Sequence, residues 1–429
     1  MVSEVHVKSS GRWPRRYTLV GLCFFGTFIC YIDRVNISLA AIVMQEQFGW
    51  SDTVKGYVLS SFFIGYMASQ VLGGAMANRL GGKIVLGFAV LWWSVFTILT
   101  PPAALISLGI LIATRILMGF GEGMAFPSMY NLYGRWIPAP EKSRVVAVTF
   151  SGISLGTLTA LIVTGPIIER YGWPTVFYVF GAAGIIWFFF WQRMVTNTPQ
   201  SHPTITAQEL ALIEASAVPP GRAERVPWKG LLSSPAIWAI IINHFCANWG
   251  FYVLLAWLPS YFKSAWGMSL TGAGLASAAP WLSMFVMTNV AAWIADAQIK
   301  RGISVTYVRK QQQTIGLVGA ATFLFLVRSL EPEQSTLAII YMCCSLGLLS
   351  FVLSGFATNH LDVAPRYADV LLGITNTAGT IPGIIGVFIT GYLVEKTGNF
   401  DVAFALASGI FLFGAVVFLL FSTGKKLFD

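Results

Sequence analysis

The sequence predicts an all-α polytopic membrane protein with twelve transmembrane helices in two pseudo-symmetric six-helix bundles. Three observations predict it. Of 429 residues, 56% are hydrophobic and only 10% are charged, well under half the charged share of soluble domains. The apolar content, about 240 residues, fills about twelve spans at roughly 20 residues each. Two loop motifs also recur at nearly one offset, close to half the chain. A soluble core of this length would need a polar shell to stay dissolved, so the composition excludes a soluble enzyme. It equally excludes a disordered chain and a disulfide-stapled secreted domain.

In chain order, Met1 to Arg16 is short, polar and basic, and the apolar run behind it is too long for a signal-peptide core. No cleavage pattern and no Arg/Ser-rich transit peptide follows, which predicts direct entry into a bacterial cytoplasmic (inner) membrane. Apolar runs place helices at 17–45, 53–77, 84–100, 105–133, 143–168 and 172–194. A second set falls at 233–263, 270–296, 306–328, 334–362, 367–394 and 400–422. The chain thus divides into a bundle over 1–194, a linker over 195–232 and a second bundle over 233–429. The linker holds five prolines and predicts a short surface helix around Gln208 to Ala217.

The 27 Lys+Arg outnumber 18 Asp+Glu, a net charge of +9. If the N-terminus is cytoplasmic, 20 of the 27 fall on the cytoplasmic side and five outside: Lys55, Arg170, Lys263, Arg328 and Lys396. Arg34 and Arg115 lie within helices. This bias predicts both termini in the cytoplasm.

After the second helix the chain reads Gly74-Ala-Met-Ala-Asn78-Arg79-Leu-Gly81-Gly82-Lys83. After the eighth come Ala295-Asp296, Lys300-Arg301-Gly302 and Arg309-Lys310, with Asp296 offset from Asn78 by 218. Ala139-Pro140-Glu-Lys-Ser-Arg144 and Ala364-Pro365-Arg-Tyr-Ala-Asp369 repeat at an offset of 225. Two homologous bundles imply a rocking transporter with its site between them near the bilayer midplane. Asn78, Arg79, Lys83, Asp296 and Arg301 are the main polar residues of the first repeated pair of loops.

An uncompensated charge at the centre of a membrane helix costs about 3 kcal/mol. Four ionisable residues sit deep in the predicted spans: Asp33 and Arg34 in the first helix, Arg115 and Glu122 in the fourth. They sum to zero. Arg115 and Glu122, seven residues apart, share a helix face, and Gly119, Gly121 and Gly123 beside them admit a neighbouring backbone or a ligand. Buried ion pairs rarely add net stability, which favours function over scaffolding. A guanidinium in a cavity is a bidentate partner for a carboxylate or phosphate. A carboxyl beside it feels opposing pulls, from desolvation and from the guanidinium, that suit it to proton exchange near neutral pH. Asp33 and Glu122 are the candidate proton-coupling residues. Arg34, Arg115, Asn36 and Tyr66 are candidate substrate contacts.

Asn248 and Tyr252 follow His244 at four-residue steps in the seventh helix. Asn376, Thr377 and Thr380 cluster beside Gly379 in the eleventh. Both stripes either line the second wall of the cavity or join helices. Trp281 and the Asn359-His360 pair carry a weaker signal. Gly119-Phe-Gly-Glu-Gly123 lies in an apolar helix with no preceding strand, so it is no nucleotide loop. Cys23, Cys30, Cys246, Cys343 and Cys344 read as small buried hydrophobes. No catalytic constellation or metal-ligand cluster stands out, so an enzyme is not expected. Nor is a cofactor, apart from a coupling proton or sodium ion. The expected partners are a small anionic substrate and the lipid bilayer, with no nucleic acid, and the chain reads as a monomer.

The stretch 74–83 resembles the loop signature of the major facilitator superfamily, except that Asn78 replaces its usual Asp, and 295–310 resembles its weaker partner; the resemblance implies gating loops at Asn78, Arg79, Lys83, Asp296 and Arg301. Tyr31-Ile-Asp33-Arg34-Val-Asn36, Arg115-Ile-Leu-Met-Gly119-Phe-Gly-Glu122-Gly-Met-Ala-Phe-Pro127 and Asn248-Trp249-Gly-Phe-Tyr252 resemble its anion:cation symporter family. So do His202-Pro-Thr-Ile-Thr206 and Asn359-His360-Leu-Asp362-Val-Ala-Pro365-Arg366-Tyr367-Ala368. Gly373-Ile-Thr-Asn376-Thr377-Ala-Gly379 and the ending Thr423-Gly-Lys-Lys-Leu-Phe-Asp429 are most similar to the plant plastid anion and phosphate transporters. The resemblance implies the major facilitator fold, substrate contacts at Arg34, Arg115 and Tyr66, and protonation at Asp33 and Glu122. Ala247 and Leu59 stand where vesicular glutamate transporters carry a basic residue and a histidine, which argues against that branch. The implied function is proton-coupled symport of a small organic anion, a sugar acid or other carboxylate, by alternating access. Sodium-coupled phosphate transport is the alternative, and a non-transporting membrane sensor a more distant one.

Overall fold

The computed structural model describes residues 13–215, 226–331 and 333–428. Lys8, Arg12, Arg222 and Arg225, counted above for sidedness, lie outside them. The first bundle contains α1 (Arg15–Phe48), α2 (Asp52–Leu80), α3 (Gly82–Ile106), α4 (Leu108–Glu122), α5 (Ala125–Trp136), α6 (Lys142–Tyr171) and α7 (Trp173–Met194). The linker carries α8 (Ala207–Ala215) and α9 (Trp228–Ser233). The expected surface helix around Gln208 is therefore present as α8, and its last two positions, 216–217, fall outside the described residues. The second bundle contains α10 (Pro235–Trp266), α11 (Leu270–Lys300), α12 (Val305–Leu326), α13 (Ser335–Leu349), α14 (Phe356–Val363), α15 (Ala368–Thr397) and α16 (Asp401–Phe421). No strand occurs among the described residues.

Eleven of the twelve expected spans are long and apolar enough to cross a membrane. The ninth, α12, falls short because Arg309-Lys310-Gln311-Gln312-Gln313 occupies its second and third turns. Two spans expected as single helices are broken. The fourth, expected over 105–133, ends as α4 at Glu122 and restarts as α5, because Pro127 has no N–H and its ring excludes the carbonyl four residues back, at Gly123. The tenth, expected over 334–362, passes from α13 through a 3-10 turn at Ser350–Leu353 into α14. The Gln313 side-chain oxygen accepts the Phe356 N–H at 2.9 Å at that break. The two breaks fall in corresponding spans of the two halves. The third helix departs from expectation in the other direction: it continues through Pro101 and Pro102 to Ile106.

Within the first half α2 packs on α4, α3 on α4 and α7, and α1 on α6. In the second, α10 packs on α15 and α16, α11 on α13, and α12 on α13 and α16. The halves meet where α2 lies on α15, α6 on α11 and α1 on α10. Both termini reach the linker on one face. The Glu209 carboxylate of α8 accepts the backbone N–H groups of Arg15 and Arg16, each at 3.0 Å. Phe428 packs beside Leu231 of α9. This side is called the terminal face below.

Three glycines at the end of α4, Gly119, Gly121 and the capping Gly123, are there for close packing. A methyl group at Gly119 would collide with the Phe62 carbonyl of α2, and one at Gly123 with the Tyr66 carbonyl. Gly121 faces α3 instead, against Trp92 and Ala89. Gly119→Val therefore forces α2 and α4 apart and is expected to destabilise the fold by about 3 kcal/mol. Gly134→Val, where a side chain meets nothing within 4 Å, should be neutral. Thermal unfolding of the two purified variants checks this.

Candidate substrate site

Asp33, Arg34, Arg115 and Glu122 meet inside the first half, with exposures of 0%, 5%, 1% and 0%. The two arginines are held differently. Arg34 donates to one oxygen of Glu122, from Nη2 at 2.8 Å and from Nε at 3.1 Å. The Cys30 thiol donates to the same oxygen at 3.1 Å, while Oε1 of Glu122 has no partner. The Arg34 guanidinium also lies over three rings, 4.6 Å from the centroids of Tyr31 and Tyr66 and 4.9 Å from that of Phe62. It is locked in place by one carboxylate and an aromatic cage.

Arg115 has no such lock. No carboxylate among the described residues lies within ion-pair distance of it. Its Nη1 rests 3.0 Å from the Met118 sulfur, its Nε is unpartnered, and among the described residues the one ring its guanidinium lies over is Phe62, at 5.5 Å. Both arginines line one small cavity of about 20 Å³, room for a single water. Ser38 and Tyr252 complete its polar wall, and Ile37, Leu59, Phe62, Phe63, Leu255 and Ala256 its apolar one. Tyr252 comes from α10, so the second half contributes directly to the site.

Neither Asp33 oxygen makes a well-formed hydrogen bond, and the Trp93 indole, Glu122 and Arg115 are the groups within its reach. Asn36, one turn on, is fully buried with both amide atoms unpartnered. These orphaned polar atoms lie on the α1 side of the charge cluster. Leaving one unsatisfied costs about 1–3 kcal/mol, so water or a ligand is needed there.

The remaining candidates divide. Asn248 donates to the Gly379 carbonyl at 2.8 Å, joining α10 to α15. Asn376 donates to Gln70 at 2.6 Å, and Gln70 donates to Thr380 at 3.2 Å. This clasp joins the halves between the cavity and the terminal face. Thr377 is exposed, and its hydroxyl returns to the Gly373 carbonyl of its own helix. The structure therefore does not bring Thr377 to the arginines. On the terminal face Asn78 accepts from Asn131 at 2.9 Å, and Lys83 places its backbone N–H on Asn197. Arg79, Asp296 and Arg301 are exposed and form none of the ion pairs seen among the described residues.

Charge pairing on that face instead uses residues the sequence reading did not single out for it. Arg309 binds Asp362 at 2.7 Å in the second half, and Arg16 bridges Glu141 at 2.9 Å and Glu209 at 3.2 Å in the first. Cys30, Phe62 and Gln70 were also missed at the site. Tyr31 and Cys30 lie three and four residues before Arg34, and Phe62 lies four before Tyr66, spacings that share a helix face. Only Cys23, Cys30 and Cys246 are buried; Cys343 and Cys344 are partly exposed.

The Major Facilitator Superfamily profile matches residues 23–387. The chain belongs to that superfamily. It is 44% identical over 418 residues to a probable anion transporter 4, chloroplastic, of Oryza sativa subsp. japonica, covering 97% of this chain and 70% of that protein. It is 43% identical to an ascorbate transporter, chloroplastic, of Arabidopsis thaliana, with 99% and 79% covered. A sodium-dependent phosphate transport protein 1, chloroplastic, of the same plant is 42% identical, with 97% and 81% covered. Among solved structures, a bacterial homologue of the human lysosomal transporter Spinster superposes with a TM-score of 0.78 at 15% identity, covering 96% of this chain and 97% of that one. A D-xylose–proton symporter gives 0.77 at 17% identity, covering 96% and 99%. These two likenesses establish the fold.

The chain is a membrane transporter of the superfamily's anion-transporter type, not an enzyme. The chloroplastic relatives overturn the expectation of a bacterial inner membrane. That expectation rested on the short basic start of the chain. Targeting leaders are separate from the spans and are removed, so twelve helices read alike in either membrane. An integral multi-pass protein stands.

Proposed function

We propose that this transporter is a proton-coupled symporter of a small organic anion in a plastid-type membrane. The observation that carries this reading is the contrast between the arginines. Arg34 is already neutralised by Glu122, whereas Arg115 faces the cavity with its fork unpaired. A substrate carboxylate on Arg115 then takes a bidentate geometry, with Tyr252 and Ser38 within the same cavity for hydroxyl groups.

Charge arithmetic supplies the coupling. The four buried groups sum to zero, so a monoanion alone leaves the site at −1, and one proton on Asp33 or Glu122 restores neutrality. Crossing with an unbalanced charge costs about 3 kcal/mol, or more than a hundredfold in population. A proton on Glu122 also loosens Arg34, which can then turn to the anion. Rocking of the halves about the site and parting of the Gln70–Asn376 clasp release both to the terminal face.

The apolar wall of Phe62, Phe63 and Leu255 favours a carbon skeleton over inorganic phosphate, which has no surface to bury there. The relative named for sodium-dependent phosphate transport keeps the second reading in play. Uptake into proteoliposomes at fixed pH, with and without sodium, separates the two. Proton coupling predicts uptake of a sugar acid that is indifferent to sodium and rises with an inward proton gradient. Phosphate uptake that requires sodium overturns it.

A further inference from the structure

On the side opposite the terminal face, the halves are joined by two contacts of the same construction. Ser51 caps α2 by accepting the Val54 N–H, and Ser269 caps α11 by accepting the Gly272 N–H. In each helix the next free donor, the N–H of the residue two past the serine, is given to a glutamate of the other half. Thr53 N–H reaches Glu395 of α15 at 2.9 Å, and Thr271 N–H reaches Glu169 of α6 at 3.0 Å, with its hydroxyl on the second oxygen at 2.6 Å. The glutamates occupy matching places, Glu169-Arg170-Tyr171-Gly172 and Glu395-Lys396-Thr397-Gly398, each three residues before a left-handed glycine that ends its helix. The serines differ by 218 positions and the glutamates by 226, close to the offsets of the loop repeats. One carboxylate on one helix N-terminus has thus been duplicated with the bundle, each copy bridging the two halves.

We propose that Glu169 and Glu395 are a pair of latches that hold the transporter closed on the side opposite its termini. A carboxylate at a helix N-terminus is attracted by the helix dipole and satisfies a donor that has no partner within the helix. Each latch exists only while the halves touch on that side, so opening there must break both. Both latches use a backbone donor, which no side-chain change deletes, and only the Glu169 latch adds a side-chain donor, the Thr271 hydroxyl; the two acids are therefore the parts to vary. The two copies lie in different interfaces, α2 on α15 and α6 on α11, so their effects combine independently. The proposal rests on the alternating-access reading but not on the anion or the coupling ion.

The test therefore needs no substrate. Leu39, fully buried against Gly274 of α11, lies behind the latches. In a Leu39→Cys background, labelling by an impermeant maleimide applied from the latch side reports opening, measured against the parent lacking that cysteine. At an exposed helix end, losing one charge should raise the labelling rate about threefold, for Glu169→Gln or Glu395→Gln alone. The double variant should gain about tenfold. Joining Thr53→Cys to Glu395→Cys with a short bifunctional thiol reagent in that background should suppress labelling, and cleaving the bridge should restore it. Unchanged labelling in the double variant, or undiminished labelling in the bridged protein, overturns the proposal. Either result leaves anion symport standing.

Discussion

Arg115→Ala is expected to lower anion uptake at least about a hundredfold while leaving a folded protein. In the proposed binding mode Arg115 gives the anion two charge-assisted hydrogen bonds, worth about 1.5–3 kcal/mol each, and the substitution removes both. The fold should tolerate it, since the guanidinium touches Met118 and Phe62 but holds no carboxylate in an ion pair. Thermal unfolding should stay within about 5 °C of the unmodified protein. Arg115→Lys keeps the charge without the planar fork and should recover only part of the uptake. Uptake of a sugar acid in proteoliposomes, beside the unfolding curve, checks all three. Normal accumulation by Arg115→Ala would remove Arg115 from the site.

The spans and the four buried charges were legible because both follow from the cost of polarity in hydrocarbon. A run such as 400–422 has no soluble explanation, and Arg34 or Arg115 inside such a run needs a partner or a task. Sequence could not say which arginine was paired. Arg34 follows Asp33 directly, yet consecutive helical residues point about 100° apart, and Arg34 reaches Glu122 on α4. The breaks in the fourth and tenth spans depend on Pro127 and on the Gln313–Phe356 contact, the second of which joins distant parts of the chain. The ion pairs of the terminal face were hidden for a related reason. The ion pairs join Arg16 and Arg309 to carboxylates 53 to 193 residues away, a separation that no loop motif encodes. Thr377 fits the polar stripe of its helix but faces out, because adjacent residues in a stripe cannot share one face.

Glu122→Gln separates the Arg34 contact of the buried carboxylate from the proton transfer proposed for it. The amide oxygen still accepts from Arg34 and Cys30, so the α1–α4 contact survives, but the side chain no longer takes up or gives off a proton. The site then carries a fixed charge of +1 without substrate and reaches neutrality when a monoanion binds. Loading is retained, while return of the empty carrier means moving that unbalanced charge, which costs about 3 kcal/mol. Net uptake should fall about a hundredfold, whereas exchange, which never requires the empty carrier to return, should persist near its normal rate. Glu122→Ala removes the acceptor as well and leaves Arg34 buried without an anion, so it should also destabilise the protein.

The most direct test of the account loads proteoliposomes bearing Glu122→Gln with unlabelled anion and measures entry of labelled anion in two ways. One follows exchange at equal pH, and the other follows accumulation from zero internal anion under an inward proton gradient. The account predicts exchange comparable to the unmodified transporter with accumulation lost. Gradient-driven accumulation that survives at the normal level contradicts it.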